Sequence, residues 1–203
     1  SNFFFLISNL VLLPSNMKII LLMTGDELLS GNIVDTNAAW IADQCWMLGH
    51  QVIRKITVGD DADTIAAACK EAAVHADAVI VSGGLGTTTD DITVDSASRA
   101  LTPTSAVSLH NAVGTAPGIQ WTVGHATFFF LPGVPRELKQ IFADHVHPWL
   151  KLQPAQAYVE HRLHCIGMSE ATIGQTLQAL DLGAIRLSYR AHFPEVMLKI
   201  IGR

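Results

Sequence analysis

The chain has 203 residues, 49% of them hydrophobic and 15% charged, which is enough for one well-buried core and a small second unit. Its net charge is −5, with 18 acids against 13 Lys and Arg, and there is no basic cluster. A nucleic-acid surface is therefore excluded as an expectation. Cys45, Cys69 and Cys165 lie far apart with no C-x-x-C pair, which predicts reduced thiols in the cytosol and excludes a disulfide frame or cysteine zinc site.

Phe3 to Leu13 is an apolar run broken by Ser8 and Asn9 and closed by Pro14. It is too short to span a bilayer, and no basic residue precedes it, so neither a membrane span nor a signal peptide is expected. Residues 1–16 read as upstream or expression-derived sequence, with the natural domain starting at Met17. Lys18 to Met23 is a fully apolar strand, followed by the polar turn Thr24-Gly25-Asp26-Glu27. Thr36 or Asn37, or alternatively Asp35, caps a helix that runs to Leu48 with Ala38, Ile41 and Cys45 on one face. Gln51 to Val58 is the second strand, ending in Gly59-Asp60-Asp61, and Ala62 to His75 is an alanine-rich helix.

Asp77 to Val81 is the third strand. It runs into Ser82-Gly83-Gly84-Leu85-Gly86, then Thr87, Thr88 and Thr89, and then Asp90-Asp91 before a helix over Ile92 to Ala100. A strand, a glycine turn and a helix start together make a phosphate-sized site, because unpaired N–H groups there carry partial positive charge. Two carboxylates beside it would repel a bare phosphate, so they imply a divalent cation. A plain βα turn with aspartate caps uses the same residues. The alternation of strands and helices, with the strands apolar on both faces, predicts a parallel sheet covered on both sides. Ligands in such sheets lie beyond the strand carboxyl ends, where the turns at 24–27, 59–61 and 82–91 gather.

Leu101 to His110 shows neither period. Asn111 to Gly118 is a loop of small residues, and Ile119–Val123 and Ala126–Leu131 form a hairpin about Gly124-His125. Leu131-Pro132-Gly133-Val134-Pro135-Arg136-Glu137 opens a helix to about Leu150, with Pro135 in its first turn and Glu137 at its positive end. His145 and His147, before Pro148, read as surface residues. Beyond them, Tyr158–Ile166, Ile185–Tyr189 and Val196–Ile201 are strands, and Ser169 caps a helix to Leu180.

Four ordered stretches, T-G-D-E-L-L-S-G-N-I-V-D-T-N (24–37), S-G-G-L-G-T-T-T-D-D (82–91), N-A-V-G-T-A-P-G (111–118) and L-P-G-V-P-R-E (131–137), resemble the signatures of the CinA N-terminal family. That family lies within the molybdopterin-binding superfamily, and the resemblance runs from Met17 to about Leu150. It implies a three-layer α/β/α domain with a mostly parallel sheet over 17–152, followed by a small α+β domain over 153–203 with a packing or dimer-forming role. For the CinA branch it further implies metal-dependent hydrolysis of an ADP-ribose-like dinucleotide, with Mg²⁺, Mn²⁺ or Co²⁺ as cofactor. A molybdopterin-type binding protein or nucleotidyl transferase and a non-catalytic nucleotide sensor are the alternatives. The amidase acting on nicotinamide mononucleotide belongs to a separate C-terminal domain of such proteins.

The implied ligand is a nucleotide or pterin phosphate, and a homodimer without nucleic-acid or membrane partners is expected. Asp90, Asp91 and Asp35 are the catalytic candidates, and Asp26, Glu27 and Asp90 the metal candidates. The phosphate and nucleotide candidates are Thr24 and Gly25, the Ser82, Gly83, Gly84, Leu85 and Gly86 turn with Thr89, and Asp60 on a ribose edge. Asn111, Gly114 and Thr115, with Pro132, Gly133 and Pro135, form a second cradle. Three departures stand out. Thr87 replaces the usual proline, and relatives carry some tens of extra residues between Leu101 and Pro103, an expected flap. The chain also ends directly after a strand, as expected of a fragment.

Overall fold

The computed structural model describes residues 17–86, 91–155 and 159–202. Contacts divide it into two compact units, one up to residue 155 and one from residue 156.

In the first unit the elements run β1 (Lys18–Thr24), α1 (Asp26–Leu29), α2 (Thr36–Met47), β2 (Gln51–Val58), α3 (Ala62–His75), β3 (Ala78–Ser82) and α4 (Thr93–Ala100). There follow β4 (Ser105–Leu109), β5 (Gly118–Val123), β6 (Ala126–Leu131), α5 (Pro135–Ile141) and α6 (His147–Lys151). The sheet order is β2-β1-β3-β6-β5-β4. The β1, β2, β3 and β6 strands pair in parallel, and β5 and β4 are added antiparallel at one edge.

The central strands are apolar throughout because both faces are covered. Ile19, Leu21, Ile80 and Phe129 pack with Ile41 of α2 and Leu138 and Ile141 of α5. Ile20, Leu22, Val79, Phe128 and Phe130 pack on the opposite side with Ile65 and Ala72 of α3 and Ala97 of α4. This is the three-layer α/β/α arrangement, with a mostly parallel sheet as its middle layer. Complete burial of each phenylalanine contributes about 1.5–3 kcal/mol, so Phe128, Phe129 and Phe130 on β6 are a major part of both cores. At one edge, β2 departs from the expectation of a strand apolar on both faces. Arg54 and Lys55 lie on it and most of its side chains are exposed, the usual protection of an edge strand.

Some local features differ from the sequence reading, and one, the α2 cap, decides between its alternatives. Ser105–Leu109 is a strand, although 101–110 has no apolar period; its first four residues are exposed and only Leu109 is buried. Backbone pairing to β5 defines it, not a buried face. Helix α2 is capped by Asp35, whose carboxylate accepts from Ala38 N at 2.8 Å, and not by Thr36 or Asn37. The helix predicted to Leu150 contains a π-turn, Phe142–Val146, directly before α6. Pro148 lies just beyond it, without an N–H and with a ring that crowds the preceding turn, and the wider π-turn accommodates it. His145 is half-buried there, bonded to the His110 carbonyl at 3.2 Å, and not the surface residue expected.

The second unit is a three-stranded antiparallel sheet, β7 (Val159–Ile166), β9 (Glu195–Gly202) and β8 (Arg186–His192), with β9 central. One face packs on α7 (Glu170–Leu177), burying Ile173, Val196 and Leu198. Ser169 caps α7 by accepting from Thr172 N at 3.1 Å. Among the described residues, no helix is long and apolar enough to cross a membrane.

Candidate functional site

The sheet order places β1 between β2 and β3. The chain leaves β1 toward the face covered by α2 and leaves β3 toward the face covered by α4. The two connections therefore part, and a crevice opens beyond the strand carboxyl ends. A cavity of about 490 Å³ occupies it.

Its floor is the two glycine turns. Gly25 has φ 147° and its N–H donates to Val58 O at 3.1 Å. Gly83 and Gly84 have φ 112° and 61°. A Cβ on Gly83 would overlap Thr24, and one on Gly84 would overlap the Thr93 hydroxyl, so only glycine lets the turn lie this close. The fully buried Thr93 hydroxyl bonds Thr24 Oγ1 at 3.0 Å, fixing the two turns together. One expectation is corrected here. The Gly83 N–H is not offered to a phosphate, because it donates to Leu131 O at 3.1 Å as an extension of the β3–β6 ladder. Gly84, Leu85 and Gly86 remain as the backbone wall of the cavity, with Ser82 buried beneath them.

A third glycine turn, at Gly133, completes the wall. Pro132, Gly133 and Pro135 line the cavity with Thr115. Asn37, read from sequence only as a possible cap, joins this turn to the one after β3. Its Nδ2 donates to Gly133 O at 2.8 Å and to Ser82 Oγ at 3.4 Å, while its Oδ1 is buried without a partner. The 24–37 signature ends on this residue, but nothing local gives it this bridging role, because both partners are distant in the chain.

Carboxylates ring the opening. Glu27 folds over Gly25 and Asp91 over Gly86, and both line the cavity with Asp35, Asp60 and Glu137. Asp91 does not cap α4, whose N-cap is Ile92 with no side-chain bond. Among the described residues, no Lys, Arg or His lines the cavity.

Several predicted residues are used elsewhere. Asp26 turns away from the cavity: its Oδ1 accepts from Asp60 N, and Asp60 Oδ2 accepts from Asp26 N, both at 3.1 Å. That reciprocal clasp ties the ends of β1 and β2, so Asp26 is a structural residue and not part of a metal shell. Asn111 is also turned inward. It donates to Ala116 O at 2.8 Å and to Glu137 Oε2 at 2.6 Å, and its own Oδ1 accepts from Val113 N. Gly114 lies under the Glu137 carboxylate, where a Cβ would overlap it. Neither Asn111 nor Gly114 lines the cavity; they shape the loop that brings Thr115 to it. Thr89 and Asp90 lie outside the described residues.

Burial pushes the Cys45 and Cys69 thiols up to about 12, so neither is a thiolate nucleophile at neutral pH. The Thr64 hydroxyl and N–H hold the exposed Asp61 carboxyl below its ordinary range, as befits the N-cap of α3. Asp35 is both a cap and a cavity wall, and two variants separate these roles. Asp35→Ala should lose about 1 kcal/mol of stability in urea unfolding, whereas Asp35→Asn, another good cap, should lose only a few tenths. Equal losses in both would mean the charge, not the cap, stabilises α2.

A family model described as "Probable molybdopterin binding domain" matches residues 20–152. A CinA protein of unknown function from Thermoplasma acidophilum is 30% identical with a TM-score of 0.62; the match covers 66% of this chain and 98% of that one. The molybdopterin biosynthesis enzyme MoaB of Thermus thermophilus is 19% identical at a TM-score of 0.58, covering 69% and 99% of the two chains, and shows the shared fold. A CinA-like protein of Shewanella frigidimarina is 34% identical over 224 residues, covering 92% of this chain and 53% of the relative. A protein named nicotinamide-nucleotide amidohydrolase PncC, from Shewanella oneidensis, is 32% identical over 225 residues with the same coverage. The chain thus spans about half the length of the curated relatives it matches. The family model fits the parallel sheet and both glycine turns, and the Thermoplasma protein is matched almost end to end: the chain belongs to the molybdopterin-binding domain family, in its CinA-like branch.

Proposed function

We propose that the cavity takes the pyrophosphate of an ADP-ribose-like dinucleotide and that the chain hydrolyses it with a divalent ion. The observation that carries this reading is the wall chemistry. Backbone of the glycine turns faces a space ringed by Glu27, Asp35, Asp60, Asp91 and Glu137, with no basic side chain among the described lining residues. An anionic ligand there needs an accompanying cation. Among the described residues, no three His, Cys, Asp or Glu side chains converge as a metal cage. That suits Mg²⁺ or Mn²⁺ held by one or two carboxylates, the rest of its shell being water and phosphate oxygens. Glu27 and Asp91, one over each glycine turn, are the residues that would hold it.

A bound ion of this kind supplies charge neutralisation and a more acidic water for attack on phosphorus. The chain's own part is positional. Gly84, Leu85 and Gly86 line the cavity, and their backbone N–H groups would stabilise the oxygens that gain negative charge. Asn37 keeps the Gly133 turn at a fixed distance from Ser82, so that both ends of a pyrophosphate meet preset walls. A homodimer in the cytosol is proposed with this reading, on the scattered cysteines and the small second unit.

The family description supports a second reading, a molybdopterin-type ligand in the same cavity. The deciding experiment incubates the whole chain with ADP-ribose and with Mg²⁺, Mn²⁺ or Co²⁺, against a chelator control, and separates the products. AMP and ribose phosphate formed only with metal is the expected result. Saturable ADP-ribose binding with no product would replace hydrolysis by nucleotide sensing. Binding of molybdopterin alone would establish the pterin reading.

A further inference from the structure

Three large aliphatic side chains that line the cavity stand open to solvent: Ile33 is 55% exposed, Val34 79% and Val134 54%. Single exposed aliphatics are ordinary on a protein surface. These three, however, line one cavity from two segments distant in the chain. Ile33 and Val34 lie in the connection between α1 and α2, and Val134 follows the Gly133 turn just before α5. The bond from Asn37 Nδ2 to Gly133 O at 2.8 Å draws the start of α2 to that turn. The Ile33 N–H donates to Glu27 O at 3.3 Å, which fastens the same connection to the residue whose carboxylate lies over Gly25. Leu28, packed against the core, lines the cavity as well. An apolar lip thus borders a space that is otherwise ringed by carboxylates and walled by glycine backbone. Exposed apolar surface rimmed by polar groups marks a ligand groove.

We propose that this lip is a base subsite, which holds the flat face of a purine while the phosphates of the same nucleotide lie on the glycine turns. The cavity, at about 490 Å³, has the volume of a whole small-molecule site, about 300–1,000 Å³. It therefore has room for a nucleoside beside the anion. A ring laid on the three side chains removes their apolar surface from water and gains dispersion contacts. Valine and isoleucine are stiff at χ1, so little side-chain freedom is lost when they are covered. Neither carries a donor or acceptor, and their exposure leaves the edges of the ring in water. The subsite reads the face of the base and not its edge, so it discriminates weakly among purines. The inference rests on the nucleotide reading of the cavity, and not on hydrolysis.

The test is isothermal titration calorimetry of the whole chain in Mg²⁺ with AMP, IMP and ribose 5-phosphate, the last being AMP without its base. AMP should bind at least tenfold more tightly than ribose 5-phosphate, and IMP within threefold of AMP. The Ile33→Ser/Val34→Ser double variant should lose at least fivefold in AMP affinity while its affinity for ribose 5-phosphate stays within twofold. Val34→Ser alone, with a smaller loss confined to AMP, decides the matter if the double variant fails to fold. Equal affinity for AMP and ribose 5-phosphate would remove the base subsite and leave the phosphate site standing. Unchanged AMP affinity in a folded variant, an equal loss for both ligands, or a tenfold preference between AMP and IMP would also overturn the proposal. So would tighter binding of neopterin phosphate than of AMP. Binding of neither AMP nor ribose 5-phosphate would remove the nucleotide reading and the subsite together. The expected pattern, in a chain that forms no AMP from ADP-ribose, would remove hydrolysis alone and uphold the subsite.

Discussion

Asp91→Asn should lower metal-dependent hydrolysis of ADP-ribose about a hundredfold or more while the chain still unfolds cooperatively in urea. The expectation rests on where the carboxylate is. Asp91 precedes Ile92, which starts α4 without a side-chain cap, so the helix does not depend on an aspartate there. Instead the carboxylate lies over Gly86 in the cavity wall, opposite Glu27 over Gly25. Asparagine keeps the shape and removes the charge, so a loss of turnover without a loss of stability isolates the electrostatic role. Product formation by the variant at the unaltered rate would take Asp91 out of the chemistry and leave Glu27 as the carboxylate to examine.

Gly84→Ala should destabilise the first unit by about 2–4 kcal/mol and weaken ligand binding with it. Two costs add. Gly84 has φ 61°, a conformation that an L side chain adopts with strain, and its new methyl would meet the Thr93 hydroxyl. Thr93 cannot withdraw easily: it is fully buried, its N–H donates to Gly84 O at 3.3 Å, and its hydroxyl bonds Thr24. Gly124 provides the control. It has φ 59°, yet nothing lies within 4 Å of its would-be Cβ. Gly124→Ala should therefore show the backbone cost alone, and urea unfolding of both variants measures the difference. If the two lose the same amount, close packing of the turn on Thr93 contributes nothing, and the glycine serves only its dihedral.

The same contrast shows how far local sequence reaches. Gly84 and Gly124 look alike as turn residues, and the turn chemistry of each was legible. Their packing was not, since Thr93 and Thr24 come from different elements. The carboxylates behave likewise. Asp26, Glu27, Asp35, Asp60 and Asp91 all follow strands or precede helices, and nothing local ranks them. Strand pairing turns Asp26 into a clasp with Asp60, and the β3–β6 ladder takes the Gly83 N–H.

The parallel core was written plainly in the sequence, because a strand buried on both faces must be apolar at every position and Lys18–Thr24, Ala78–Ser82 and Ala126–Leu131 nearly are. The hairpin about Gly124 and the caps of α3 and α7 follow from equally local rules. Strand β4 escaped because an edge strand needs backbone partners and no apolar period. Asn37 escaped because its partners lie 45 and 96 residues away. Periodicity, turn propensity and capping act within a few residues and fix the layers by themselves. Only the tertiary structure brings the ends of β1, β3 and β6 together and so decides which groups face the cavity.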